Sequence, residues 1–388
     1  MNAELSDRIK KLAPDKVDRL FKHLKPGAKL QGASGVQAPA KPVKRPFREE
    51  ADKNFYLTVQ QPGSLESLGF VTRPREPLNP DHLEIEMRAA CLNFRDVAVA
   101  LGMYPMPPCG TMPEFGCDGS GCVVAVGSAV TQFKPGDEVF FLSSDSTFAR
   151  YARVREMATF KKPPHWSWEE ASGLALVFIT VGYSLRVPGR LAPNERILIH
   201  SAAGGVGLAA VQMAQKTGAE IFATAGTEEK RHFLRSIGVP HVLDSRSMTW
   251  VEEIRALTEG EGVDVVLNSL AGEAIDAGVG LLRPDGRFLE LGKRDLVPGR
   301  MLDLGPFTRT LVFSAVDTSY LFTLYPERLY PIIDEIRADV ASGAIQPMPT
   351  KSYKVSELVD AFRFMTTGKH IGRIAVTMTG EPVLVANT

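Results

Sequence analysis

The stretch from Arg196 to Gln215 constrains this chain more than any other. RILIH is a short apolar strand, Ala202-Ala203-Gly204-Gly205-Val206-Gly207 is a turn with three glycines, and Leu208 to Gln215 is an apolar helix. A strand that runs straight into a glycine-rich turn and a helix is the first half of a βαβ unit. In such a unit Gly204 lets the backbone approach a pyrophosphate, and Gly207 lets the helix pack closely on the strand. The helix N-terminus adds N–H donors and the positive end of its dipole. Ala202 stands where the common G-x-G-x-x-G pattern has its first glycine, so the turn alone also fits a connection without a ligand.

Its surroundings favour the ligand. After Trp168, strand and helix alternate: RILIH and its helix, AEIFATA and a helix to Ile237, HVLD and a helix to Leu257. VDVVLNS follows with a helix over Ala271 to Leu281, then GRFLELG. This alternation builds a doubly wound parallel sheet of the Rossmann type, expected over 173–317, and makes Ala203, Gly204, Gly205, Val206 and Gly207 candidate dinucleotide-binding residues. Ahead of it, FYLTVQ, LEIEMRAA, GSGCVVAVG and DEVFFL, separated by Pro and Gly turns, predict a mostly β, barrel-like segment over 51–172. Beyond Asp317, helical stretches lead to GRIAVTM, a strand that can return to the first domain, so 318–388 is assigned with the barrel. The fold class is α/β.

About twenty residues past the turn, an NAD-specific domain carries an acidic side chain for the ribose 2′-hydroxyl. Here the second strand ends in Ala223-Thr224-Ala225-Gly226-Thr227, followed by Lys230 and Arg231. Small hydroxyls and a cation suit a 2′-phosphate, so Thr224, Thr227 and Lys230 point to NADPH, although Lys230 and Arg231 also fit a solvated helix face. Asn268-Ser269-Leu270 and Leu291-Gly292-Lys293 end the fourth and fifth strands at the carboxyl edge, where ligands of parallel sheets bind, and are candidates for the nicotinamide side.

Lys plus Arg and Asp plus Glu both number 45, so no overall field draws the chain to nucleic acid or an anionic membrane. Gly173 to Val181, the most apolar stretch, is too short to span a bilayer, and the N-terminus lacks an apolar signal region. Cys91, Cys109, Cys117 and Cys122 form no CxxC pair and read as small packed residues in a reducing, cytoplasmic setting. Residues 4 to 24 place Leu5, Ile9 and Leu12, then Val17, Leu20, Phe21 and Leu24, at helical spacing, with a basic Pro- and Gly-rich linker from Lys25 to Arg48. The 1–50 segment thus predicts either docking helices or a tail.

Four motifs carry a resemblance: LNFRDV (92–97), IHSAAGGVG (199–207), VLNSLAGE (266–273) and GRFLELGKRD (286–295). In this order the chain from Asn54 to Met378 resembles enoyl reductase domains of modular polyketide synthases and animal fatty acid synthase, in the medium-chain dehydrogenase/reductase superfamily. The resemblance implies a GroES-like β-barrel substrate domain around a central Rossmann domain. It also implies NADPH-dependent reduction of an α,β-unsaturated thioester on an acyl carrier protein, with other synthase domains as possible partners. Hydride addition to the β-carbon puts charge on the thioester oxygen, which a donor or cation must stabilise, and the α-carbon then needs a proton. By resemblance Lys293 and Asp317 are proton-donor candidates, with ordered water as the alternative. By resemblance Tyr104 falls where an active-site tyrosine lines the pocket and donates a proton or influences α-substituent stereochemistry, a loop aromatic packed on the barrel being the alternative, and Asn93 can face nicotinamide or substrate. Arg95 and Asp96 read as a structural pair. The superfamily's zinc ligands align with Asn93 and Gly116-Cys117-Asp118, which leaves too few soft ligands, so no metal is expected. The alternatives are a zinc-independent quinone or enone reductase, an enoyl-reductase-like domain that closes a cyclopropane, and a non-catalytic NADPH-binding protein.

Overall fold

The computed structural model describes residues 52–104, 112–296 and 299–380. The expected N-terminal helices and linker, and Cys109, lie outside the described residues.

The first part of the chain forms strands β1 (Lys53–Val59), β2 (Leu68–Pro74), β3 (His82–Leu92), β4 (Asp118–Val126), β5 (Glu138–Leu142), β6 (Tyr151–Arg155) and β7 (Thr159–Lys161). β1 and β2 make an antiparallel hairpin. The long β3 buries alternate residues Leu83, Ile85, Met87 and Ala89, the period-2 pattern of a sheet with one packed face.

The second part forms β8 (Arg196–Ile199), β9 (Glu220–Ala225), β10 (His241–Asp244), β11 (Val263–Asn268), β12 (Leu282–Glu290) and β13 (Val312–Ala315). These pair in parallel in the order β10-β9-β8-β11-β12-β13. Successive strands run outward in one direction from β8 to β10 and in the other from β11 to β13. The sheet therefore switches direction between β8 and β11, where open α/β sheets bind ligands. β8 and β11 bury nearly every residue, as parallel strands covered on both faces do. The sixth strand, β13, is not apparent from the sequence: VFSA is four residues long, partly exposed and without periodicity.

The chain then returns. β14 (Thr350–Lys354) and β15 (Arg373–Thr377) complete the barrel sheet in the order β14-β15-β3-β4-β5-β7, with β6 also on β3. GRIAVTM forms β15, antiparallel to β3 with Ile374 opposite Leu92. Just before it, the Gly372 amide donates to the Ala203 carbonyl at 2.8 Å, so the returning segment is fastened to the glycine turn. No described helix is long and apolar enough to cross a membrane.

Candidate active site and cofactor cleft

The glycine turn caps the helix Gly205–Thr217, and Gly204 at its N-cap offers no side chain to the first-turn N–H groups. A Cβ on Gly207 would stand 2.5 Å from the Ala202 Cα, so this glycine permits the close approach of helix to strand. A Cβ on Gly204 would meet only the Ser201 carbonyl oxygen, at 3.4 Å, and that side of the turn is open. Over Gly205 lies Arg373, whose side chain any Cβ there would overlap. The Arg373 guanidinium donates to Asn93 Oδ1 and Asp118 Oδ2, both at 2.9 Å, while its buried Nε has no partner. Free first-turn N–H groups, an open glycine face and an unpartnered guanidinium N–H form a cradle that fits the pyrophosphate of a dinucleotide.

Asn93 is buried beside Arg373. Its Nδ2 donates to Asp118 Oδ1 at 2.7 Å and its Oδ1 accepts from Arg373, so both polar atoms of the expected nicotinamide contact are engaged in a buried network. Burial pushes the Asp118 carboxyl up to about 6, against the pull of Arg373 and Asn93. Arg95 and Asp96 stand 3.6 Å apart and hold the Glu114 to Gly116 loop. The positions aligned with the superfamily's metal ligands thus surround a guanidinium. Among the described residues no group of three or more His, Cys, Asp or Glu could hold a metal ion.

At the end of β9, Thr224 is corrected as a cofactor contact. Its side chain faces inward, on the same face as Phe222, and its hydroxyl lies 2.9 Å from Nδ1 of the buried His200. Burial lowers His200 to about 3 and leaves it neutral. Thr227 caps the helix Glu228–Ser236 by accepting from the Lys230 amide. Arg231 is paired with Glu228 and Asp244. Lys230 remains beside the strand end, its Nζ donating to the Gly368 carbonyl at 2.7 Å, with its pKa lowered by burial and by the charge of Arg246. Arg246 is exposed, forms no ion pair among the described residues, and would lie 3.1 Å through its Nε from a Cβ on Gly226. A sequence reading passes over Arg246 because it sits two residues beyond β10, and proximity to Gly226 comes only from the parallel pairing of β10 with β9.

At the other end of the cleft, Lys293, Asp317 and Tyr104 meet. Lys293 Nζ lies 2.6 Å from Asp317 Oδ2 and donates to Tyr104 Oη at 3.1 Å. The lysine follows β12, the aspartate follows β13, and the tyrosine comes from the barrel side after the helix Phe94–Ala100. Burial alone would lower the Lys293 pKa, but the Asp317 carboxylate and the Tyr104 hydroxyl outweigh it and raise it, so the group is an ammonium. Asn268 is buried and turns back on Leu270, whereas Ser269 is exposed and Leu270, Leu291 and Gly292 are half-buried along the cleft. Glu290, fully buried under this edge, is a further charged residue that the apolar reading of GRFLELG does not single out.

Known proteins are similar to this chain in sequence and in fold. Residues 79–164 match the Alcohol dehydrogenase GroES-like domain and residues 205–334 match the Zinc-binding dehydrogenase family. The chain is 37% identical over 339 residues to a mycocerosic acid synthase-like polyketide synthase of Mycolicibacterium smegmatis, covering 87% of this chain and 16% of that protein. It is 38% identical over 331 residues to the phthioceranic/hydroxyphthioceranic acid synthase of Mycobacterium tuberculosis, covering 84% of this chain and 16% of that protein. The chain therefore spans a small part of the curated relatives it matches. Among solved structures, the CurK enoyl reductase superposes with a TM-score of 0.77 at 35% identity, covering 84% of this chain and 99% of that one. The CurF ER cyclopropanase from the curacin A biosynthetic pathway does so at 0.75 and 33%, with the same coverage. Escherichia coli quinone oxidoreductase complexed with NADPH gives 0.72 and 25%, covering 83% of this chain and 99% of that one.

Proposed function

The chain belongs to the polyketide-synthase enoyl reductase family of the medium-chain dehydrogenase/reductase superfamily, and we propose that it reduces the α,β double bond of an enoyl thioester with NADPH, the acyl group being carried on an acyl carrier protein. The observation that carries this reading is the Lys293 ammonium held between Asp317 and Tyr104 at the carboxyl edge of the parallel sheet.

The residues of the cradle, Gly204 to Gly207 with Arg373, would hold the pyrophosphate of NADPH, and Lys230 with Arg246 would hold its 2′-phosphate. Bound there, NADPH supplies the hydride that the β-carbon of the substrate takes up. The negative charge that then develops on the thioester oxygen is met by the Lys293 ammonium, which Asp317 keeps charged and orients. Because Tyr104 Oη accepts from Lys293, its own proton is free to be donated. Tyr104 is thus the proton donor to the α-carbon, drawing a replacement proton from solvent. One hydride and one proton saturate the bond, and the thioester stays intact.

NADPH oxidation by crotonyl-pantetheine tests the reading. Turnover is expected with this thioester and not with small quinones, and the reverse result would sink it. Lys293→Ala is expected to lower kcat by about 100- to 1,000-fold, the range for removing a charge-stabilising donor, and Tyr104→Phe by about 100-fold or more. Product mass from a γ-halogenated enoyl thioester separates saturation from ring closure, the activity named for the CurF relative.

A further inference from the structure

We propose that Glu290 is a positioning residue for this chemistry: its buried carboxylate ties the turn after β12 to the turn after β11 and so sets where Lys293 stands. The chemistry rests on the function proposed for this site, whereas the tie itself rests on geometry alone.

Glu290 ends β12 and is 1% exposed. Its Oε1 accepts the Gly292 N–H and its Oε2 accepts the Asn268 side-chain amide, both at 2.5 Å. Asn268 in turn closes on Leu270 through both of its amide atoms, at 2.8 and 3.1 Å. The main chain repeats the connection: the Leu291 amide donates to Asn268 and the Val316 amide donates to the Glu290 carbonyl, each at 2.9 Å. Three segments converge on one residue, and they lead to Leu270, Lys293 and Asp317. Gly292 is shaped to this purpose, since a Cβ there would lie 2.8 Å from Glu290 Oε1.

The charge on this residue matters more than its size. A carboxylate accepts from two N–H donors at once, whereas a glutamine must turn its own NH2 toward one of them, leaving donor against donor. The strongest influences on Glu290 are burial, then Asn268, Gly292, the repelling carboxylate of Asp295 and the Leu291 amide, and no cation is among them. Together they raise it to about 7. The other titratable groups at this edge have their own partners: Asp295 accepts from the Gly272 amide at 2.8 Å and faces Arg300 at 3.8 Å, and Lys293 is bound to Asp317 and Tyr104. Losing its negative charge would remove one acceptor from the clamp and free the turn that carries Lys293.

The test is Glu290→Gln in the full chain. With crotonyl-pantetheine, kcat is expected to fall about 10- to 100-fold while the NADPH dissociation constant changes by less than about threefold, because the phosphate cradle is untouched. The parent is expected to show an acidic limb in its kcat/KM profile that follows this carboxyl, and the variant is expected to lack it. In the cofactor-free protein, hydrogen exchange at residues 291–295 is expected to quicken, a readout that needs neither substrate nor NADPH. Gly292→Ala should reproduce the loss by pressing on Oε1. A Glu290→Gln protein with unchanged kcat, pH profile and exchange overturns the proposal. If the parent does not reduce the thioester, the reading of the reaction fails, and the exchange rates and the fluorescence of bound NADPH still decide whether Glu290 orders the turn.

Discussion

Glu290 and Lys293 stand three residues apart and carry opposite charges, yet each is held by a different set of partners, and their pKa values move for different reasons. Burial raises Glu290 from 4.5 to about 7. Between those values the folded chain binds more protons than the unfolded one. The stability this group contributes is therefore full below its unfolded pKa and is lost as pH rises toward 7. Thermal melts of the parent and of Glu290→Gln should show the difference shifting in favour of the variant between about pH 4.5 and pH 7, while the parent's activity rises around pH 7. A difference independent of pH would mean that the carboxyl is not shifted. At the far end of the cleft, Lys230 and Arg246 flank a strand end without a carboxylate. Replacing both with Ala is expected to reduce the preference for NADPH over NADH by about 100-fold or more, roughly one charge-assisted hydrogen bond each. An unaltered ratio of kcat/KM values for the two cofactors would remove them from the 2′-phosphate site.

At the scale of elements, the strand–turn–helix from β8 into Gly205–Thr217 depends on the missing side chain of Gly207. Gly207→Ala inserts a methyl group against the Ala202 backbone, an overpacking that costs about 1–3 kcal/mol. For a chain of this size that corresponds to a fall in Tm of roughly 1–4 °C, measurable by calorimetry. Gly204→Ala meets open space and should leave Tm nearly unchanged while weakening NADPH binding, so the two glycines separate packing from ligand approach. The alternation of strand and helix made β8 to β12 legible in the sequence, because parallel strands buried on both faces are nearly continuous apolar runs. β13 escaped that reading because an edge strand of four residues has one open side and little apolar content.

Across the whole molecule, the return of β15 to the barrel fastens the two sheets together. Arg373, the first residue of that strand, reaches over the glycine turn to Asn93 and Asp118, which lie on the barrel side. Arg373→Met is expected to destabilise the chain by about 3–5 kcal/mol, because it leaves the Asp118 carboxylate buried without its cation. Adding Asp118→Asn should restore a large part of that loss. A double-mutant cycle by denaturant unfolding would report the coupling, and additive effects would show that the pair does not join the domains. Arg373→Met should also weaken NADPH binding through the loss of its free Nε, which Asp118→Asn cannot repair.

Local pattern alone determined the order of strands and helices from β8 to β12, the glycine turn, the lack of an acidic side chain where β9 ends, and the motifs that place the chain in its family. These are properties of neighbours in sequence, and backbone sterics, hydrophobic period and turn chemistry act over that range. Tertiary structure alone decided that Asn93 serves a buried network, that Thr224 turns inward to His200, and that Arg246 approaches Gly226. It also brought Tyr104, Lys293 and Asp317 together from three separate segments. Which face a side chain takes, and which distant charge it meets, depends on how sheets pack and where the chain returns, and contacts across nearly two hundred residues leave no periodic trace in the sequence.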